Sequence, residues 1–242
     1  MKTKNKYNVA ARAGLLALAL TAAFALNTTA IADTLFQYTG DFNSINGLAN
    51  EQNTFAAGVQ AGVYDDFTTT QGWTVDRIFS DNLVSTSILS ANWEIRSGVS
   101  EMNAGTLVAS GSASGSNLSV TATGRGAFGF LEYQVEVLNL AVNLAPGTYW
   151  LNVTPVGNNT GRSFQSDTSG ANCIGTCGSQ NPGNAFFNST SFGTFFDTTA
   201  NQSQPGDFSF GLAGNPIPEP ATIALLTCGV GALLIAVRRR RS

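Results

Sequence analysis

The stretch Phe128–Val153, FGFLEYQVEVLNLAVNLAPGTYWLNV, has the clearest strand pattern in the chain. Apolar residues alternate with polar ones in its first half: Leu131, Tyr133, Val135 and Val137 are separated by Glu132, Gln134 and Glu136. Since successive side chains of a strand point to opposite faces, this alternation predicts a strand with one core face and one solvated face. The turn residues Ala145-Pro146-Gly147 then lead into a second strand-like segment, Thr148–Val153. A Pro-Gly turn between two such segments predicts an antiparallel hairpin.

Strand-like segments extend outward from this stretch in both directions. They are Val63–Thr70, Trp73–Phe79, Asn82–Leu89, Asn92–Arg96, Thr106–Ala109 and Leu118–Thr123 before it, and Ala185–Asn188, Phe192–Phe196 and Asp207–Leu212 after it. The intervening segment Gly157–Gly183 is rich in Asn, Gly, Ser and Thr, which predicts a long irregular loop. No helical periodicity is visible between residues 33 and 214. The pattern predicts an all-β fold, an antiparallel and jelly-roll-like β-sandwich over residues 63–214, preceded by a loop-rich segment over 33–62 with one strand near Leu35–Tyr38.

The N-terminus has the order of a secretory signal peptide. Four cations in the first twelve residues precede the apolar segment Ala13–Leu26, and the small-residue motif Ala30-Ile31-Ala32 follows. This order predicts a signal helix within residues 1–32, with cleavage before Asp33. An uncleaved anchor is the alternative, but the apolar segment is short and ends in an Ala-x-Ala site.

The C-terminal segment, residues 215–242, combines three features in a fixed order. Pro218-Glu219-Pro220 is followed by an uncharged run from Ala221 to Val237, and then by Arg238, Arg239, Arg240 and Arg241. The run predicts a transmembrane helix over 221–237, which would span roughly 25 Å at about 1.5 Å per residue. Clustered arginines resist translocation, so this end should remain cytoplasmic. The two prolines keep the approach to the membrane extended and accessible.

This tripartite pattern resembles the PEP-CTERM sorting signal of exported bacterial proteins. The resemblance implies two processing partners, a signal peptidase and a membrane-embedded exosortase. It also implies a route in which the protein is held transiently in the inner membrane of a Gram-negative-type bacterium before it reaches the cell surface or the extracellular matrix. Such signals are associated with exopolysaccharide production, which makes an extracellular polysaccharide a further expected partner. An ordinary uncut membrane anchor is the alternative.

A second, looser resemblance concerns the segment between the two ends. Tyr64-Asp65-Asp66-Phe67, Gly72–Val75, Trp93–Arg96, Gly105–Ser110 and Leu144–Trp150 are similar to successive strands of β-sandwich domains that often carry such sorting signals. The similarity implies the fold more than an activity.

The charge distribution excludes several classes of function. Residues 33–214 contain four arginines, no lysine and 14 acidic residues, so their formal charge is −10, against −3 for the whole chain. A surface with four scattered cations cannot neutralise a nucleic-acid backbone, so no nucleic-acid partner is expected. The chain contains no histidine, which removes Ser-His-Asp and Cys-His catalysis and histidine-based metal sites.

Three carboxylates form a candidate metal site. Asp65 and Asp66 are adjacent in a predicted strand, so one of them, on the face of Val63, should point inward and need a partner. That partner is either Arg77 or a calcium ion, with Asp207 completing the site if the terminal strands pair. The alternative is an exposed or salt-bridged acid pair at a strand end. No other cofactor is expected.

A glycosidase pair is not expected on the strand that contains Glu132 and Glu136. Four strand residues separate these side chains by about 13 Å, beyond the roughly 5–9.5 Å of working pairs. A solvated acidic face is the prediction instead.

Two further candidates are a disulfide and an aromatic platform. Cys173 and Cys177 would be exposed to an oxidising compartment after export and are predicted to form a local disulfide. A redox-active pair is the alternative, but three residues separate the cysteines and no helix pattern follows. Trp150 should point outward if its neighbours face the core, which makes it a candidate glycan-binding ring; alternatively, the 157–183 loop covers it.

Together these patterns predict an exported protein of the cell surface or biofilm matrix without evident catalytic activity. The alternatives are a carbohydrate-binding module of the cell surface and an enzyme that relies on carboxylates alone.

Overall fold

The structure, a computed structural model, describes residues 34–52, 60–177, 184–191, 193–198 and 206–218. These residues form strands joined by turns and one short 3-10 turn at Gly115–Asn117. The strands are β1 Thr34–Tyr38, β2 Phe42–Ala49, β3 Ala61–Thr69, β4 Trp73–Val84, β5 Ile88–Ser97, β6 Thr106–Ala113, β7 Leu118–Ala127, β8 Phe130–Val137, β9 Val142–Leu144, β10 Gly147–Gly157, β11 Ser163–Thr168, β12 Phe186–Ser189, β13 Gly193–Asp197 and β14 Phe210–Pro216. All of their pairings are antiparallel.

Sheet 1 is organised around the long strand β4. One edge of β4 pairs with β14 and then with β11, and its other edge pairs with β9 and then with β8. Outside these, β1 pairs with β14, β2 with β11 and β7 with β8. The C-terminal strand therefore lies between the first strand and the central one.

Sheet 2 has the strand order β13-β12-β3-β10-β5-β6. Its inner face meets that of sheet 1 in a shared apolar core, because both sheets contribute alternate strand positions to one buried cluster. Sheet 1 contributes Val75, Ile78, Val135, Val137, Leu144, Phe210 and Leu212, and sheet 2 contributes Phe67, Ala91, Trp93, Ile95, Ala113, Tyr149, Leu151 and Val153. The prediction of an all-β fold built from antiparallel sheets is confirmed.

Two strands of sheet 1 lie where loops were predicted. β2 and β11 pair with each other, and β11 joins them to β4. Both have polar sequences, FNSINGLA and SFQSDT, in which the usual apolar alternation is missing. Since β1 and β2 are part of sheet 1, the sandwich begins within the segment 33–62 that was predicted to be loop-rich.

The predicted hairpin around Ala145-Pro146-Gly147 is wrong. The strand before this turn, β9, pairs with β4 in sheet 1, whereas the strand after it, β10, pairs with β3 and β5 in sheet 2. The turn therefore carries the chain from one sheet to the other.

The predicted faces of β8 are also only half right. Val135 and Val137 are buried, but Leu131 is 60% exposed. Glu132, predicted to face solvent, is fully buried, because Arg125 of the neighbouring strand β7 neutralises it. Glu136 pairs with Arg77 at 3.2 Å and is likewise mostly covered.

Candidate functional site

A split in sheet 2 creates a concave surface. β3 pairs with β12 along Ala61–Tyr64 and with β10 only from Asp65 onward. β10 continues beyond Leu151 alongside β5 without β3. The two strands therefore diverge and leave a wedge between them.

The segment that follows β2 fills the base of this wedge. Glu51 bridges to Ala61 of β3, and the Gln52 amide donates to the Pro155 carbonyl of β10 at 3.2 Å. Asn50 is fully buried there: its Nδ2 donates to the Val153 carbonyl at 2.8 Å, and its Oδ1 accepts from the Thr154 hydroxyl at 2.9 Å. Polar side chains thus take over the hydrogen bonds that a continuous ladder would have made.

A cleft of about 600 Å³ lies over this wedge on the outer face of sheet 2. Asn152 and Thr154 belong to its lining and alternate along β10 with the core residues Leu151 and Val153. The cleft runs across the strands, since its lining comes from β13, β12, β3, β10, β5 and β6. Its size falls within the roughly 300–1,000 Å³ of ligand-binding clefts.

The lining is dominated by amide and hydroxyl groups. Four of its amide side chains, those of Gln52, Gln60, Asn92 and Asn188, form no hydrogen bond with any other described residue. Each amide offers two donors and an acceptor. The cleft therefore presents unused donors and acceptors side by side.

One carboxylate lines the cleft, and its charge is balanced. Glu94 forms an ion pair with Arg96 and accepts a hydrogen bond from the Tyr64 hydroxyl at 2.9 Å. Burial, followed by the repulsion from Glu94, raises the pKa of Tyr64 above its usual value, so the phenol stays neutral. The cleft is close to electrically neutral, in contrast to the acidic segment 33–214 as a whole.

The second polar cluster of the molecule, centred on Arg125, has the character of a structural site. Arg125 pairs with Asp41 at 2.7 Å, with Asp81 at 3.4 Å and with Glu132, and both Asp81 and Glu132 have side chains with no exposure. Burial raises the pKa of Asp81 to about 7 against the opposing hydrogen bond from Ser209. Neither carboxylate lines the cleft over sheet 2, and neither side chain has any surface exposed to solvent.

The predicted calcium site at Asp65, Asp66 and Asp207 is not formed. Asp65 is buried as expected, but its Oδ2 accepts a hydrogen bond from the Phe208 amide at 2.7 Å. Asp66 lies on the opposite face of the strand and accepts a hydrogen bond from the Asn184 side chain. Arg77, the other predicted partner, pairs with Glu136 instead. Across the described residues, no group of three or more His, Cys, Asp or Glu side chains is arranged to hold a metal ion.

The two acids have raised pKa values for physical reasons that differ in part. Burial and then repulsion from Asp207 raise the pKa of Asp65 well above its usual range. Burial alone raises the pKa of Asp66 to about 6, opposed by hydrogen bonds from its own amide and from Asn184. Both groups accept hydrogen bonds from protein donors.

Trp150 points outward as predicted but is only half-exposed. Its indole N–H donates to the Asn184 carbonyl at 2.8 Å, and its ring lies 6.5 Å from that of Phe186. Within the described part of the chain, the Trp150 side chain contacts Asn184 and Phe186 of β12. Its indole N–H is already used, so a ligand would contact only the exposed part of the ring, and glycan binding by Trp150 stays a prediction.

Cys173 and Cys177 form the predicted disulfide. The loop they close is bound to β1: Ile174 bridges to Tyr38, and the Gln37 side chain bonds with both the amide and the carbonyl of Thr176. The disulfide therefore constrains a loop that packs against β1, the edge strand of sheet 1.

Most of the predicted terminal features lie outside the described residues. These are the signal segment 1–32, Glu219, Pro220, the helix 221–237 and the arginines 238–241; Pro218 is described and exposed. Among the helices within the described ranges, none is long and apolar enough to span a membrane.

The fold and the cleft define the chain as a two-sheet antiparallel β protein with a neutral, amide-rich groove. No protein-family model matches the chain, and neither the curated proteins nor the solved structures include a significant match.

Proposed function

We propose that the protein is an exported, exosortase-sorted component of the cell surface or the extracellular polysaccharide matrix, without catalytic activity of its own. The observation that carries the proposal is the order of Pro218-Glu219-Pro220, apolar run and arginine cluster in the C-terminal segment. The N-terminal signal pattern supports the same route, in which signal peptidase acts at one end and an exosortase-type enzyme at the other.

The position of the last strand supports a processing site next to the folded domain. β14 ends at Pro216, the Ile217 amide donates to the Gly72 carbonyl at 2.8 Å, and Pro218 is exposed. The sorting motif thus begins where the hydrogen bonds of the sandwich end. An enzyme at the membrane surface could reach it without unfolding the sandwich.

The architecture supports a binding or structural role. The described acids with raised pKa values, Asp65, Asp66 and Asp81, are buried and bonded to protein groups, and none of them lines the cleft. We interpret the strand order as jelly-roll-like, because the chain crosses repeatedly between the two sheets. Jelly-roll sandwiches occur in viral capsid and lectin domains, which have structural and binding roles.

The proposal is tested by the intact mass of the protein recovered from the membranes and from the medium of the producing cells. We expect mature material that begins at Asp33 and lacks Arg238–Arg241. Replacing Pro218 and Pro220 by Ala should cause the tail-bearing form to accumulate in the membrane. Retention of the arginines in all mature wild-type material would refute the sorting proposal.

A further inference from the structure

The cleft over the split of sheet 2 has the chemistry of a carbohydrate site. We propose that it binds a neutral oligosaccharide segment of an extracellular polysaccharide. The inference extends the proposed function, since export is what would bring the cleft into contact with such a polymer. The evidence for it, however, is the geometry and chemistry of the cleft, not the C-terminal segment 215–242.

The first argument is the match of hydrogen-bonding groups. A sugar hydroxyl is both a donor and an acceptor, and so is a carboxamide group. Gln52, Gln60, Asn92 and Asn188 use none of their side-chain donors and acceptors in hydrogen bonds with other described residues, which leaves these groups for a ligand. The hydroxyl groups of Ser110 and Thr194 add to this lining.

The second argument is charge. Glu94 is neutralised by Arg96, and the Tyr64 phenol is neutral, so the lining carries neither excess cation nor excess anion. An acidic polymer would find no cationic side chain in the lining and would be repelled by the acidic body. A cationic ligand would find no free carboxylate. The neutral class is the one that the cleft can bind without a charge penalty.

The third argument is that the cleft is built into the backbone. Gly62 and Gly111 belong to its lining, and a Cβ at Gly62 would lie 3.1 Å from Asn152 Nδ2 and 3.3 Å from Thr154 Oγ1. Asn152 and Thr154 are in turn fixed by the buried Asn50, through contacts of 3.5 and 2.9 Å to its Oδ1. The groove is therefore open and held in shape before a ligand arrives, which lowers the cost of binding.

The test is a titration of the protein, purified from producing cells in a zwitterionic, sugar-free detergent, with neutral and acidic oligosaccharides. The neutral probes are pentasaccharides of glucose, xylose, mannose, galactose and N-acetylglucosamine, and the acidic probe is a pentamer of uronic acid. We expect measurable calorimetric binding of at least one neutral probe at millimolar concentration and none of the acidic probe.

Two cleft variants locate the site. Asn92→Ala and Asn188→Ala each remove an amide that makes no hydrogen bond to another described residue, so folding should be little affected. Each should weaken binding by about 3- to 10-fold, the loss expected for one neutral hydrogen bond. The matched control is Asn46→Ala, another half-buried strand asparagine whose side chain makes no hydrogen bond to a described residue, but which lies in sheet 1. It should leave the affinity unchanged.

Three results would overturn the proposal: no neutral probe binds, the acidic probe binds more tightly, or Asn92→Ala and Asn188→Ala bind as the wild type does. Unchanged thermal unfolding of each variant shows that a lost affinity is local. A failure of the binding experiment would not contradict removal of the C-terminal segment. Retention of that segment in the intact mass would likewise not contradict oligosaccharide binding.

Discussion

Replacing Arg125 by Met should destabilise the sandwich far more than a surface ion pair would. The guanidinium group of Arg125 bonds to Glu132, Asp41 and Asp81, and the side chains of Glu132 and Asp81 have no exposure to solvent. Methionine preserves much of the length of the side chain but removes the charge and the donors. Two buried carboxylates would then lose the cation that pairs with them among the described residues.

The magnitude follows from this burial. Removing one partner of a buried ion pair costs about 3–5 kcal/mol, because the remaining charge is left uncompensated. The Arg125 side chain is 31% exposed, which lets water reach part of the cluster and favours the lower end. We therefore expect a loss of about 3 kcal/mol in the free energy of unfolding at pH 8.

The same loss should be smaller at pH 5. Burial raises the pKa of Asp81 to about 7, so this carboxyl is already protonated in the folded protein at pH 5 and no longer needs the arginine. The double variant Arg125→Met/Glu132→Gln should recover part of the loss at pH 8, since it removes the other buried charge together with its partner.

Urea unfolding, followed by tryptophan fluorescence, is a suitable assay because Trp73 and Trp93 are both more than 90% buried. Arg77→Met is the matched control: Arg77 also pairs with a glutamate of β8, but that single carboxylate is partly exposed, whereas Arg125 pairs with two carboxylates that have no exposure. It should cost less than about 1 kcal/mol. Equal losses for the two variants, or a loss for Arg125→Met that does not depend on pH, would refute the reasoning.

Three further outcomes are expected. The pKa values of Asp65, Asp66 and Asp81 are raised in the folded state, so the folded protein binds more protons than the unfolded chain between about pH 4 and 7. The melting temperature should therefore rise as the pH falls from 8 to 5. Asp81→Asn should reduce that rise. Cys177→Ala opens a small loop and should cost about 2 kcal/mol in urea unfolding, whereas a reductant should then have no additional effect on the variant. Leu151→Ala creates a cavity in the shared core and should cost about 2–5 kcal/mol, whereas Leu131→Ala, at a side chain that is 60% exposed, should change stability by less than about 0.5 kcal/mol.

The fold class could be predicted from the sequence because the core strands follow the pleat. Trp93 and Ile95 are buried and alternate with Glu94 and Arg96, as the period of two requires. β2 and β11 could not be predicted as strands, because their sequences lack the alternation of apolar and polar residues that indicates a strand. They are stabilised by strand pairing and by polar side chains instead.

The errors on β8 and at the Pro-Gly turn have a common cause. Alternation shows that two faces exist, but it does not show that a distant cation will be buried with one of them, as Arg125 is with Glu132. Likewise, a turn motif specifies the local backbone, and whether the following strand joins the same sheet depends on partners far away in sequence. β10 finds such partners in β3 and β5.

The cleft could not be predicted, because its parts come from six strands and the segments that adjoin them. One signal was present: the outward positions Asn92, Asn152 and Thr154 are polar but uncharged in an otherwise acidic body. Only the divergence of β3 from β10 turns those positions into a groove.

The place of β14 has a consequence for the order of events during synthesis. Among the described strands, β1 pairs only with β14, which lies roughly 175 residues later in the chain and also contacts β4. The first strand must therefore wait for the last before it is paired along its length. Closure of such distant contacts is slow, so this edge of sheet 1 stays incomplete until the C-terminal portion has been made. On the proposed export route, that delay would leave the edge of the sandwich open while the chain crosses the membrane.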